Sequence, residues 1–351
     1  MILTKVRERL EEAEYKNLSP YAAKSAETKG RARAEEKCPI RTDFQRDRDR
    51  ILHSKSFRRL KHKTQVFLSP MDDHYRTRMT HTLEVSQIAR TIAKGLNLNE
   101  DLTEAIALGH DLGHTPFGHC GESVLNKLMP EGFMHNKQSV RVATVLEDIN
   151  LTHETLDGIL HHSGDLFSAS IPKASTLEGQ IVKVADKIAY INHDIDDAVR
   201  AGVMDIEDLP KDSKEYFKSK NQSRIATLIM DVIENSYDKN EIIMSDEALF
   251  HFNSYRQWMF KNIYFDSPAK LEEGKARHVV QTLFEFYLDM MKQKYKDSSE
   301  DMLKRIICDY IAGMTDRYAI TMYEEYFVPK PTSAAFSDLY LYKLAEINGL
   351  K

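Results

Sequence analysis

Apolar residues recur at the i, i+3, i+4 spacing of an α-helix along most of this chain, and no convincing alternating strand interrupts them. In residues 80–97, for example, Val85, Ile88 and Ile92 fall on one helical face, and Asn97 marks the end of the segment. Further segments with this periodicity are 100–114, 138–149, 178–201, 224–236, 246–264, 275–294 and 299–327. The pattern therefore predicts an all-α fold.

Local start and stop signals support two of these helices. Asn99 is placed to cap the helix predicted at 100–114, which has Glu100 in its acidic first turn. Gly202 follows 178–201 directly and is typical of a helix C-terminus.

The chain of 351 residues is long enough to bury a large core, and we interpret residues 1–351 as a single domain. Its core spans about residues 76–200. Residues 203–225 are charged and contain few large apolar groups, which indicates a surface excursion. Residues 226–351 are expected to form a helical C-terminal part that completes the pocket.

Composition indicates a soluble, cytoplasmic protein. Apolar residues make up 42% of the chain and charged residues 29%, and no apolar run approaches the roughly 18 residues of a membrane span. The N-terminal residues lack the apolar core of a secretory signal. Cys38, Cys120 and Cys308 share no metal or redox spacing, which fits a reducing compartment.

The charge is unevenly distributed. A net charge of −5 argues against bulk binding of nucleic acid. Residues 41–63 nevertheless contain nine Lys or Arg against three Asp. Such a basic segment suits a compact anion such as a polyphosphate, and the alternative interpretation is a solvated helix face.

Four residues on three predicted helices form a candidate metal site. They are two histidines and two aspartates, the usual donor types of a catalytic divalent ion: His81, His110, Asp111 and Asp186. Taken alone, His81 could be a hydrogen-bonded core histidine and Asp186 a simple ion-pair partner. The combination favours a metal, because buried charges are costly unless they are paired or metal-bound.

The same residues carry a family resemblance. His81…His110-Asp111…Asp186, with His-Asp-Leu-Gly-His-Thr-Pro-Phe-Gly-His around the doublet, resembles the HD-domain metallophosphohydrolases and, more narrowly, the deoxyguanosine triphosphate triphosphohydrolases. The resemblance spans roughly residues 40–320. It includes Phe57–Leu60 with Gln65, Thr77–His81, His135-Asn136, Gln138-Ser139, Asp186-Lys187, Tyr190, Asp194 and Ala312–Arg317.

The resemblance implies hydrolysis of a deoxynucleoside triphosphate to deoxynucleoside and intact triphosphate, by attack of water on the α-phosphorus. It implies a divalent ion at the four candidate ligands. Two imidazoles and two carboxylates accept Mn, Fe, Ni, Co or Zn, and Mg could accompany the substrate triphosphate. It also leads us to expect a homo-oligomer, and some relatives are activated by a nucleotide.

The resemblance also implies roles for the histidines after the doublet. His119 would act as general acid at the 5′-oxygen, and Glu122, at i+3, would orient it. His114 and His135 would contact the α-phosphate region. The alternative is that His114 and His119 sit in a glycine-marked turn and only bond the backbone.

The helix predicted at 178–201 places four polar residues on one arc of about 120° at 100° per residue. They are Asp186, Lys187, Tyr190 and Asp194. The resemblance implies that Lys187 and Arg78 hold phosphates, and that the sugar is held by Tyr190, Asp194 and Gln65. Arg59 could reach the triphosphate or an effector nucleotide. The alternative for the arc is a solvated stripe.

Two rival functions remain open at this point. The first is another HD phosphohydrolase activity, on nucleoside monophosphates or signalling nucleotides. The second is a non-catalytic protein that binds nucleotide or nucleic acid through residues 41–63. Base specificity, the native metal and the role of His161 and His162 are not encoded in a recognisable pattern.

Overall fold

The computed structural model describes residues 5–65, 76–168, 170–264, 269–329 and 339–350. The all-α prediction is confirmed, because the regular structure of these ranges is helical apart from the isolated bridges Arg31–Thr152 and Thr64–Thr77. The first eight α-helices are α1 Val6–Asn17, α2 Asp43–His53, α3 Lys55–Arg59, α4 Arg78–Gly95, α5 Glu100–Gly109, α6 His119–Leu128, α7 His135–Arg141 and α8 His153–His161. They are followed by α9 Leu177–Arg200, α10 Lys211–Ser219, α11 Arg224–Ser236, α12 Asp246–Met259, α13 Ala269–Lys294, α14 Glu300–Ala312, α15 Asp316–Phe327 and α16 Leu339–Ile347.

The chain forms two compact units, each built from three segments. The first unit contains Met1–Ser54, Thr80–His110 and Ile149–Ser267, and the second contains Lys55–Met79, Asp111–Asp148 and Pro268–Lys351.

Helix α5 is the central element of the first unit. The Asn99 side chain accepts a hydrogen bond from the Leu102 backbone, as the sequence predicted, and every residue from Leu102 to Gly109 except Glu104 is buried. A helix with this much buried surface must be covered by neighbours, and α2, α8 and α9 pack against it. The approach to α8 is close, since a Cβ at Gly109 would lie 2.5 Å from the Ile159 Cδ1 atom.

The predicted helix boundaries differ in accuracy. The segments 80–97 and 178–201 correspond to α4 and α9, and Gly202 ends α9 with a φ of 65°. The prediction that the next helix runs from 100 to 114 was wrong at its end. Helix α5 stops at Gly109, and the chain then forms turns that lead to α6.

The core of the second unit is formed by α6, α13, α14 and α16. Its largest buried side chains include Leu125, Leu283, Phe284, Tyr287 and Ile307. Phe117, which directly precedes the N-cap of α6, belongs to the same cluster. The chain just before α6 is therefore anchored in the core of this unit.

Residues 203–225 contain α10, and Tyr216 and Phe217 on that helix are buried. The segment expected as a surface excursion thus contributes apolar packing within the first unit. No described helix combines the length and the apolar character that a membrane span requires.

Candidate functional site

Three of the four predicted metal ligands meet in the first unit. His81 lies in the first turn of α4, His110 directly follows α5, and Asp186 lies in the middle of α9. One donor atom from each lies within 4.8 Å of the other two, and each histidine is only 1% exposed. We call His81, His110 and Asp186 the metal cluster.

Hydrogen bonds fix the donor atoms of the metal cluster. The His110 Nδ1 atom lies 2.6 Å from the Ala107 carbonyl, which makes Nδ1 the protonated nitrogen and directs the lone pair of Nε2 outward. The His81 Nε2 atom lies 3.1 Å from a carboxylate oxygen of Asp186. Imidazole and carboxylate donors converging at this spacing fit a divalent transition metal.

The charge of Asp186 also suits a ligand. Burial alone would raise the pKa of its carboxyl, but Lys187 and the bond from His81 hold that pKa well below its usual range. Lys187 Nζ lies 3.3 Å from the second carboxylate oxygen. The carboxylate is therefore ionised at neutral pH.

Asp111, the fourth predicted ligand, belongs to the second unit. Its carboxylate accepts a hydrogen bond of 2.7 Å from Arg78 Nη1, and both side chains are buried. Arg78 Nη2 also donates to the Gln65 carbonyl at 3.3 Å. Arg78, predicted to hold phosphate, thus pairs with a predicted metal ligand in this structure.

The second unit holds a different cluster, centred on Glu122. The His119 Nδ1 atom lies 3.2 Å from Glu122 Oε2, as the i, i+3 spacing predicted. His135 lies closer, with Nδ1 3.0 Å from Oε1, and His114 Nε2 is 4.0 Å from Oε2. We call His114, His119, Glu122 and His135 the imidazole–carboxylate cluster.

The members of this cluster differ in charge. Burial would raise the pKa of Glu122, but the three imidazoles around it lower that pKa strongly. Burial lowers the pKa of His135, yet the contact with Glu122 raises it above its usual value. Burial and the positive Arg78 hold the pKa of His114 well below its usual range. His114 is therefore neutral, and its ring stacks on the charged ring of His135, which is ion-paired with Glu122. The two ring centroids lie 4.8 Å apart.

His119 is the accessible member of the cluster. Its side chain is 69% exposed, whereas that of His114 is 1% exposed. An exposed imidazole held by a carboxylate can exchange protons with a bound molecule. The geometry thus does not support the alternative in which His119 bonds only to the backbone.

The polar arc on α9 is partly buried. Asp194 is 1% exposed, and Lys187 Nζ lies 6.0 Å from the centre of the Tyr190 ring. This burial disfavours the alternative of a solvated stripe.

Five of the nine basic residues of segment 41–63 form ion pairs with acids. Arg41 pairs with Asp49, Arg46 and Arg50 with Glu35, Arg48 with Asp101, and Arg59 with Glu147. Arg59 also lines a cavity of about 450 Å³ together with Tyr310 and Tyr318. These ion pairs reduce the positive charge that the segment presents to an anion.

No sequence pattern assigns a role to His162. It is buried beside His110, with ring centroids 5.0 Å apart, and its Nδ1 atom lies 2.7 Å from the Ile159 carbonyl. Its neighbour His161 instead pairs with Asp157. Helical periodicity gave a signal, because His162 lies three residues after the fully buried Ile159.

Comparison with known proteins identifies the family. Residues 78–191 match the HD domain, and residues 242–325 match the phosphohydrolase-associated domain. The deoxyguanosinetriphosphate triphosphohydrolase-like protein of Caldanaerobacter subterraneus subsp. tengcongensis is 59% identical over 335 residues, which cover 93% of this chain and 97% of the relative. Proteins of the same name from Desulfatibacillum aliphaticivorans and Clostridium tetani are 47% and 48% identical, again over 93% of this chain, and over 99% and 97% of their own lengths.

The fold is also weakly similar to the crystal structure of a hypothetical protein from Aquifex aeolicus. The TM-score is 0.46 at 19% identity, over 80% of this chain and 71% of that one. The resemblance inferred from the sequence motifs is confirmed by the sequence relatives. At 59% identity over nearly its whole length, the chain belongs to the deoxyguanosinetriphosphate triphosphohydrolase-like family, and it is a hydrolase with an HD domain.

Proposed function

We propose that this enzyme hydrolyses deoxynucleoside triphosphates to deoxynucleoside and inorganic triphosphate, by attack of water on the α-phosphorus. The observation that carries the proposal is the metal cluster, in which buried imidazole and carboxylate donors converge within 4.8 Å. The names of the relatives support the substrate class.

The residues that would hold the ion are His81, His110 and Asp186, with Asp111 as the predicted fourth ligand. At these residues, a divalent ion would supply Lewis-acid chemistry, that is, polarisation of a phosphoryl oxygen and a lowered pKa of a bound water. Two imidazoles and two carboxylates leave the ion identity open among Mn, Fe, Ni, Co and Zn.

The imidazole–carboxylate cluster would donate a proton to the leaving group. His119 is exposed, and Glu122 bonds its Nδ1, so its Nε2 is the atom that would protonate the departing 5′-oxygen. Glu122 stays ionised because its pKa is strongly lowered, so it can hold the imidazole in one orientation. His135 would offer its positive charge, and the neutral His114 a hydrogen bond, to the α-phosphate region.

The remaining predicted contacts concern the substrate's phosphates and sugar. Lys187 would neutralise phosphate charge, and Tyr190 and Asp194 would contact the sugar from the same helix. A dedicated contact to the 3′-hydroxyl, with the 2′ side closed, would explain a preference for the deoxysugar. A cytoplasmic location, homo-oligomerisation and an activating nucleotide also stay part of this proposal.

Product analysis tests the reaction. The purified protein is incubated with each of the four dNTPs, singly and mixed, with Mn²⁺ or Mg²⁺, and the products are separated by ion exchange. We expect deoxynucleoside and intact triphosphate in equal amounts. Stepwise loss of phosphate, or release of phosphate from monophosphates, would instead favour another HD phosphohydrolase activity.

One variant links the reaction to the imidazole–carboxylate cluster. His119→Ala should keep its metal but lose turnover by about 10²–10⁴-fold, because a general acid is removed. His278→Ala is the matched control, since His278 is an exposed histidine of the same unit. Unchanged kcat in His119→Ala would exclude His119 from the chemistry.

A further inference from the structure

The segment Ala312–Arg317, which the family resemblance includes without a role, contacts the loop that leads into α6. From these contacts we infer that Asp316 is a positioning residue, which acts by fixing the backbone that aims His119. The inference rests on the proposed function, because it assigns Asp316 a place in that reaction.

Asp316 uses both carboxylate oxygens as anchors. Oδ1 accepts a hydrogen bond of 2.9 Å from the Phe117 backbone N–H. Oδ2 accepts one of 2.9 Å from the Thr64 backbone N–H and a second from the Thr64 hydroxyl. The carboxylate thus ties together two segments that are far apart in the chain, one before His119 and one before Gln65.

The backbone that Asp316 holds is unusual. Phe117 and Gly118 both have a φ of 60°, in the left-handed region that a phenylalanine rarely adopts. A Cβ at Gly118 would lie 3.2 Å from the Gln65 carbonyl oxygen, so a side chain at this position is disfavoured. Such a corner persists only when its surroundings hold it, and Asp316 supplies that support at Phe117.

The corner determines where His119 points. Gly118 is the N-cap of α6, His119 is the first residue of that helix, and Glu122 lies one turn later. Thr115 Oγ1 donates to the Gly118 carbonyl at 2.8 Å and closes the turn from inside. A rotation at Phe117 would therefore redirect the helix start and the imidazole that it carries.

Lys63 is a second anchor of the loop that leads into α6. Lys63 is 2% exposed and donates from Nζ to the Ala312 carbonyl at 2.7 Å and to the His114 carbonyl. Burial and the nearby Arg59 hold the pKa of Lys63 well below its usual range. The loop from His114 to Phe117 is thus held at both ends by the Ala312–Arg317 segment, one end through Lys63 and the other through Asp316.

The role requires a carboxylate. An amide has one acceptor oxygen, so Asp316→Asn can satisfy either Phe117 or Thr64 but cannot bond both as Asp316 does. The variant should therefore loosen the corner without removing any group that touches substrate. The variant therefore tests positioning, because the His119 side chain is unchanged and only its support is altered.

A double-variant cycle with His119→Ala tests the inference. We expect Asp316→Asn to lower kcat about 10–100-fold with KM changed less than about 3-fold, since a misplaced catalytic group costs turnover. In the His119→Ala background, the same change should cost less than about 3-fold. An equal loss of kcat in both backgrounds, or no loss in either, would overturn the inference.

Asp231→Asn is the matched control. Asp231 also accepts from one residue's backbone N–H and hydroxyl, those of Ser245, but it lies in the first unit far along the chain from α6. It should leave kcat unchanged. If Asp316→Asn does not fold, Asp316→Glu replaces it in the same double-variant cycle. This variant keeps the charge but shifts the carboxylate oxygens.

Hydrogen exchange separates this inference from the proposed function. In Asp316→Asn the backbone amides of Phe117, Gly118 and His119 should exchange faster than in the wild type, and in Asp231→Asn they should not. If the wild type releases no deoxynucleoside from any dNTP, the proposed function fails. The exchange result still decides whether Asp316 holds the backbone at Phe117. Unchanged exchange in Asp316→Asn would refute the anchor whatever the enzyme's activity.

Discussion

Glu122 Oε1 lies 3.0 Å from Nδ1 of His135 and 2.9 Å from the backbone nitrogen of the same residue. This contact raises the pKa of His135 and lowers that of Glu122. Because each partner favours the charged form of the other, the pair should make folding stability depend on pH.

The first prediction concerns that dependence. His135 has a raised pKa, so its contribution is complete below the unfolded value of about 6.5 and is lost as pH rises through the folded value. Glu122 has a lowered pKa, so its contribution is present above about 4.5 and is lost as pH falls. The contribution of this pair to the melting temperature of the metal-free protein should therefore fall as pH rises above about 6.5.

Glu122→Gln removes the charge partner of His135. Its melting temperature should therefore fall less than that of the wild type over the same rise in pH. Glu131→Gln, which changes an exposed carboxylate of the same unit, should behave like the wild type. Parallel melting curves for wild type and Glu122→Gln would mean that the pair does not titrate as described.

The second prediction concerns metal binding. Asp186→Asn should weaken metal affinity by at least about 100-fold. Mutation of a residue that only hydrogen-bonds to a metal ligand already lowers affinity by about 10–100-fold. Metal content after dialysis, measured by mass spectrometry, is the readout. Asp196→Asn on the same helix is the control, since Asp196 is 47% exposed and pairs with Arg224. Full metal content in Asp186→Asn would remove this residue from the ligand set.

These sites show which features could be predicted from the sequence. His81, His110 and Asp186 could be proposed as ligands because each places a polar donor in or directly after an apolar helical segment, and helical periodicity is local. The Asn99 cap is local too, and it was predicted correctly. The bond between Glu122 and His119 followed from i, i+3 spacing on one helix.

Contacts between distant residues were not accessible in the same way. The bond from Phe117 to Asp316 spans 199 residues, and no periodicity relates them. Lys63 was counted within a basic segment, yet it can be buried because two carbonyl oxygens accept hydrogen bonds from its Nζ atom. The end of α5 was predicted too late, because turn formation after Gly109 depends on tertiary contacts such as the bond from the Gly113 N–H to Ser139.

The third prediction concerns the sugar. Gln65 is buried, and within the described ranges its side-chain oxygen makes no hydrogen bond, so it is available to a ligand. Gln65→Ala should reduce the ratio of kcat/KM between the best dNTP and its ribonucleotide by about 10-fold, the value of one hydrogen bond. Gln87→Ala, which changes an exposed glutamine on α4, is the control. An unaltered ratio would show that Gln65 does not distinguish the sugars.

The fourth prediction concerns the packing that supports His110. A Cβ at Gly158 on α8 would lie 2.4 Å, 2.7 Å and 2.8 Å from three atoms of Ile106 on α5. Because three atoms of one side chain are involved, rotation of its tip cannot relieve the overlap. Gly158→Ala should therefore lower the free energy of unfolding by about 1–3 kcal/mol, the usual cost of overpacking.

Gly274→Ala should change the free energy of unfolding in the opposite direction. Gly274 lies within α13, and an added Cβ there would meet no described atom within 4 Å. Alanine in an open helical position should raise the free energy of unfolding by about 0.5–1 kcal/mol. Urea denaturation of both variants measures the difference, and equal effects of the two substitutions would contradict the close packing of α8 on α5. Since α5 ends one residue before His110, the Gly158→Ala variant should also bind metal more weakly than Gly274→Ala.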